Sequence, residues 1–357
     1  MNRVLNFSAG PAILPFPVLQ EASKGVLEIG GSGMSILEVS HRGKVYEEIH
    51  FEAGKRLLQM MGLPATDYTV LFLGGGASMQ FAMIPMNFLS DGQAADFVHT
   101  GEWSQKAIKE AKLFGKTNVV ATSEASKFSE IPKSIPWSKE SRYSHLTTNN
   151  TIEGTQFHQI PVSPTPLVAD MSSDFMSRQL DYSKFSLIYA GAQKNAGPAG
   201  VTIVVLKNSM LSLAKENIPV ILSYQTHVKA QSLYNTPPVF PIYVFNLVLK
   251  WIESEGGLSK IQARNEKKAN AIYEALDEFP DVYDIVVKSK SDRSLMNVVF
   301  RMKDEAKEKE FLAQAQAQKM DGLKGHRSVG GLRASIYNAF PEQGCYQLAD
   351  LIRKFAK

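Results

Sequence analysis

Between about Tyr68 and Leu206, short apolar runs alternate with stretches that have helical spacing. The runs Tyr68–Leu73, Ala95–Thr100, Pro166–Ala169, Leu187–Tyr189 and Val201–Leu206 predict strands of a parallel sheet covered on both faces. A function carried on such a sheet belongs at the carboxyl ends of its strands. The polar, proline-broken segment Ser123–Asn150 predicts an irregular connection with limited secondary structure. Pro237-Pro238 and Pro241 predict a break before a helix from about Ile242 to Glu255, and Gly256-Gly257 mark a boundary. Beyond it, the pattern predicts an amphipathic helix Leu258–Phe279 and strands near Val282–Val287 and Leu295–Met302. Another helix and a last one from about Glu342 to Phe355 complete a smaller α+β unit.

With 357 residues the chain exceeds the size at which a single core stops growing, so two cores are expected. A formal charge of +4 without a dense Lys/Arg block argues against nucleic acid and anionic bilayers as partners. No apolar stretch approaches the roughly 20 residues that span a membrane, and the first residues do not read as a signal peptide. The single cysteine, Cys345, excludes an intrachain disulfide and a cysteine-based metal cluster. Together these features point to the cytoplasm, with no metal expected.

The candidate chemistry lies at strand ends. Asp170 ends the run Pro-Leu-Val-Ala-Asp, and Lys194 follows Leu-Ile-Tyr-Ala-Gly-Ala-Gln, set among Gly and Ala. Taken alone, each favours a plain reading, a loop lysine and a helix-capping aspartate. Together on adjacent strand ends they suit pyridoxal chemistry, which needs an amine to bond the aldehyde and a carboxylate to keep the pyridine nitrogen protonated. Gly74-Gly75-Gly76-Ala77-Ser78 joins a strand to a helix-like stretch and would present free N–H groups to a phosphate. Trp103, just past the strand Ala95–Thr100, can stack on a flat heteroaromatic ring.

Asn6-Phe7-Ser8-Ala9-Gly10-Pro11, Ser40-His41-Arg42-Gly43, Gly74–Ser78, Asn149–Thr155, Asp170–Ser173, Gln193-Lys194-Asn195, Tyr234–Pro238 and Gly325–Ser335 stand in the order and spacing of one family. On these motifs the chain resembles the phosphoserine aminotransferase family, class-V aminotransferases of the type I pyridoxal-phosphate-dependent fold. The resemblance implies an α/β large domain with a mainly parallel seven-stranded sheet over residues 16–256, and a small α+β domain from residues 1–15 and 257–357. It implies that Lys194 holds pyridoxal 5'-phosphate, Asp170 pairs with the pyridine nitrogen, Trp103 stacks on the ring and Thr151 bonds the ring hydroxyl side. Ala77, Ser78 and Gln193 would bind the phosphate, joined by Asn235 and Thr236 of a second subunit in a homodimer with shared active sites. Many relatives carry Arg where this chain has Ser78, so the phosphate site is rebuilt around a neutral donor.

The resemblance further implies exchange of an amino group between glutamate and 3-phosphohydroxypyruvate. Arg333 would clamp the α-carboxylate. His41 and Arg42, from the neighbouring subunit, would surround the distal anion with His326 and Arg327, and Ser8 would help. Arginine suits a pocket that must take either a carboxylate or a phosphate, because its planar fork bonds both bidentately. Whether 4-phosphohydroxy-L-threonine, a substrate of pyridoxine biosynthesis, is also used stays open. A cysteine desulfurase would need a catalytic thiol, and Cys345 reads instead as a packed small residue. A scaffold that only binds a phosphorylated ligand would not need the lysine.

Overall fold

A computed structural model describes residues 3–357. Seven strands form one sheet in the order Tyr68–Leu73, Thr202–Lys207, Leu187–Gly191, Leu167–Asp170, Ser144–Thr147, Ala94–His99, Lys116–Thr122. All pairings are parallel except those of Thr202–Lys207, which is antiparallel to both neighbours. The sheet is thus mainly parallel, as expected, and the reversal at that one strand has a geometric reason. The short link from Gly191 to Thr202 contains no crossover helix, and a parallel return needs one.

Two strands escape the sequence pattern. Ser144–Thr147 lies inside the segment expected to be irregular, yet it is a fully buried central strand. Two of its polar side chains find lateral partners: Ser144 Oγ meets Thr165 Oγ1 at 2.8 Å, and His145 Nε2 meets the Tyr189 hydroxyl at 2.8 Å. Burial brings His145 down to about 3, which keeps the ring neutral. Lys116–Thr122 is an edge strand paired only with Ala94–His99, and its mixed polar composition suits that exposed position.

The helix expected from Ile242 runs Val239–Ser254. Pro241 falls in its first turn, where backbone N–H groups have no intrahelical acceptor and a missing one costs nothing. This helix packs with Lys44–Met61 in one core on the sheet, while Gly76–Phe88 and Glu102–Ala111 cover the other face. Three antiparallel strands, in the order Leu332–Ser335, Asn297–Met302, Tyr283–Ile285, form a second sheet under helices Gly257–Asp277 and Glu342–Ala356.

The amino-terminal segment joins this second core rather than the first. Leu5–Asn6 pairs in parallel with Met320–Asp321, and Phe7 and Ile13 are buried among residues of 269–352. The Ala12 N–H then reaches the Gln193 carbonyl at 2.9 Å, which brings the segment against the Lys194 loop. Among the described residues, no helix is long and apolar enough to cross a membrane.

Candidate active site

The carboxyl ends of the parallel strands open onto a cavity of about 420 Å³, a size that suits a small cofactor. Ala77, Ser78, Trp103, Thr151, Asp170, Gln193 and Lys194 all line it. Adjacency of Leu167–Asp170 and Leu187–Gly191 in the sheet is what brings Asp170 and Lys194 together.

Lys194 Nζ donates to Thr151 Oγ1 at 2.6 Å and stands 5.5 Å from the centre of the Trp103 ring. Desolvation lowers the amine to about 8; Asp170 opposes that shift and Arg333 adds to it. A lysine brought this near neutrality can serve as nucleophile and base. Asp170 is almost fully buried, and one of its oxygens accepts the Ser172 N–H at 2.9 Å. Burial holds its carboxyl above the ordinary range, against the pull of Ser172 and Lys194. A buried acid in that condition is satisfied by a ligand that brings a proton or a positive charge to it.

At the other end of the cavity, the helix Gly76–Phe88 begins with Gly75 in the left-handed region (φ +83°) and has no side-chain cap. A Cβ at Gly75 would lie 2.5 Å from that of Met79, so only glycine makes this turn. The first N–H groups of the helix and the Ser78 hydroxyl are thus free for an anion. Trp103 Nε1 and Thr147 Oγ1 also line the cavity, buried and without a protein partner. An ammonium, a buried acid facing it, a phosphate-type cradle and an aromatic wall fit pyridoxal phosphate: Lys194 would hold its aldehyde, Asp170 its ring nitrogen, and Gly76–Ser78 its phosphate.

The remaining expected residues lie outside this cavity. Arg333, on strand Leu332–Ser335, is half-buried with Nε unpartnered, and burial lowers its proton affinity. His326 Nδ1 meets Ser328 Oγ at 2.7 Å; its pKa is lowered by burial and then by the nearby Arg333 and Arg327. Two guanidinium groups and an imidazole that burial and those charges keep neutral therefore cluster at the edge of the second sheet. Ser8, whose N–H bonds Asn6 Oδ1, packs against Gly322. His41 has a buried, unpartnered Nε2 beside an exposed Arg42. Asn235 and Thr236 are exposed; Asn235 lines a neighbouring cavity with Met79, Ile221 and Gly75.

Sequence reasoning passed over several residues here. Ser172 both donates its N–H to Asp170 and accepts the Gly191 N–H on its hydroxyl at 3.1 Å. The aspartate-plus-two spacing was its available signal. Asn195 ties the Lys194 loop to the turn that follows strand Leu332–Ser335, accepting the Asn338 N–H at 2.9 Å. Glu153 accepts the Glu102 N–H at 2.8 Å across 51 positions, a contact with no local signature. Cys345 is buried, its thiol pushed up to about 12, and so is inert as a nucleophile.

Residues 4–348 match the aminotransferase class-V family. The chain is 52% identical, over 99% of each sequence, to phosphoserine aminotransferase of Bacillus subtilis (strain 168). It is similar to the solved phosphoserine aminotransferase from Bacillus circulans subsp. alkalophilus, at 51% identity and a TM-score of 0.96, covering 99% of this chain and 98% of that one. A PLP-bound phosphoserine aminotransferase from Trichomonas vaginalis has 38% identity and a TM-score of 0.91, with coverages of 98% and 100%.

Proposed function

The chain belongs to the class-V aminotransferase family, and on that premise we propose that it exchanges an amino group between L-glutamate and 3-phosphohydroxypyruvate, giving O-phospho-L-serine and 2-oxoglutarate. It is an enzyme of the type I pyridoxal-phosphate fold, and pyridoxal phosphate is its cofactor. The observation that carries the reading is Lys194, half-buried and brought to about 8, facing Asp170 across a cavity that ends in an uncapped helix N-terminus.

When bound, pyridoxal phosphate supplies an electron sink that stabilises negative charge at the substrate Cα. Lys194 Nζ would hold the cofactor's aldehyde, and its amine, when free, would take the substrate Cα proton and later return one. Thr151 orients that amine through the 2.6 Å contact. Asp170 keeps the ring nitrogen protonated, and Trp103 offers the ring a flat wall. Arg333 clamps the α-carboxylate with its fork, and His326 and Arg327 meet the distal anion with help from Ser8.

The enzyme works as a homodimer in which His41, Arg42, Asn235 and Thr236 complete the partner's site. Their position outside the cavity of their own protomer supports this. So does the exposed apolar set Met79, Val220, Ile221 and Tyr234 around Asn235. Residues 16–256 make the large domain, and residues 1–15 with 257–357 the small one. The setting is cytoplasmic serine biosynthesis.

Steady-state assays with glutamate and 3-phosphohydroxypyruvate, hydroxypyruvate or the oxo acid of 4-phosphohydroxy-L-threonine test the proposal. Strong preference for a phosphorylated acceptor, with parallel double-reciprocal lines, is expected. Equal kcat/KM for hydroxypyruvate would defeat it.

A further inference from the structure

The turn Thr151–Gly154 holds two sides of the cavity at once. Thr151 takes the Lys194 amine, and two residues on, the Glu153 carboxylate accepts the Glu102 N–H at 2.8 Å. That N–H is the first of the helix Glu102–Ala111, whose second residue is Trp103. Residue 101 is glycine and offers the helix no side-chain cap. Glu153 takes that place: a Cβ on Gly101 would lie 2.5 Å from its carboxylate, so the position in front of the helix is already filled. Glu153 is only 5% exposed, and its Oε2 is buried without a partner.

We propose that Glu153 is a positioning residue for transamination: as an anion it caps the Trp103 helix and sets the indole against the cofactor ring, and on protonation it loosens that grip. The helix macrodipole favours the anion. Burial works the other way and raises the carboxyl to about 7, with the Glu102 N–H and Lys194 opposing and the Glu102 charge adding. Facing it are Glu102 from the helix, Lys194 from its strand-end loop and Arg333 from the second sheet. Across an outer cavity of about 510 Å³ stand Glu124, Lys127, Asp284 and Arg301. Because burial outweighs the influences that oppose it, the carboxylate that caps this helix changes charge near neutrality.

The inference rests on the pyridoxal reading of the cavity and not on which oxo acid is used. Glu153→Gln keeps the shape and the acceptor but removes the charge; Glu153→Ala removes both. In the holoenzyme, circular dichroism of the cofactor band reports ring orientation independently of turnover. It should titrate around pH 7 in the parent and lose that step in E153Q. The kcat of E153Q should fall by about tenfold, as for a slightly misplaced catalytic group, with KM for glutamate within about twofold of the parent. In apoprotein carrying Trp137→Phe and Trp251→Phe, Trp103 emission should show the same step. A dichroic step that survives in E153Q at the parental midpoint overturns the proposal, as does Trp103 emission in E153Q that follows the parent at every pH. Loss of the step in E153Q supports it even if no phosphorylated oxo acid is turned over, so the two readings fail separately.

Discussion

Replacing Lys194 with methionine, an unbranched side chain one atom shorter that carries no charge, is expected to stabilise the cofactor-free protein while abolishing transamination. Burial lowers the amine from 10.5 to about 8, so the unfolded chain holds its proton to higher pH than the folded one. The native state is therefore penalised in full below about pH 8, the penalty shrinks as pH rises towards 10.5, and above that it is gone. At about 1.4 kcal/mol for each tenfold change in acidity, the full penalty is about 3 kcal/mol. Lys194 keeps some exposure to water in the open cleft, which screens its charge. The substitution also loses the bond to Thr151, worth about 1 kcal/mol. A net gain of about 1–2 kcal/mol near pH 7 follows, to be read by urea unfolding of both apoproteins at equal concentration. Near pH 9.5 the gain should have fallen by about 2 kcal/mol and all but vanished. A K194M apoprotein less stable than its parent at pH 7, or equally favoured at both pH values, would refute the reasoning.

Ser78→Ala removes the hydroxyl from the helix terminus but leaves its N–H groups, so the Kd for pyridoxal phosphate should rise about three- to tenfold by fluorescence titration. Loss of cofactor binding altogether would mean that the N–H groups are not the main phosphate ligands. Arg333→Ala should raise KM for glutamate about ten- to hundredfold, the worth of a charged hydrogen bond, with the cofactor band unchanged. A cofactor-free R333A enzyme would place this residue in the cofactor site instead of the substrate site.

The sequence was most legible where local and tertiary demands agree. Leu187–Gly191 and Leu167–Asp170 are apolar because both faces of the sheet are covered, and their boundaries announce Lys194 and Asp170. Gly75 announces its turn because no other residue fits it. Ser144–Thr147 stayed hidden because its burial is made tolerable by Thr165, Ser163 and Tyr189, all distant in sequence. The reversal of Thr202–Lys207 was invisible to periodicity, which reports that a strand exists and says nothing of its direction. Glu153 was missed for a similar reason: a carboxylate that caps another element from 51 residues away leaves no pattern of its own.

The parallel pairing of Leu5–Asn6 with Met320–Asp321 bears on how the enzyme is made. The stretch Leu5–Asn6 waits for a mate that is translated more than three hundred codons later, a contact of long sequence separation that must be closed against chain entropy. The seven-stranded body can assemble while synthesis continues, but the thread that runs past Gln193 docks only after residues 320 and 321 have been made. A nascent chain arrested short of residue 320 should therefore leave residues 5–13 open to proteolysis.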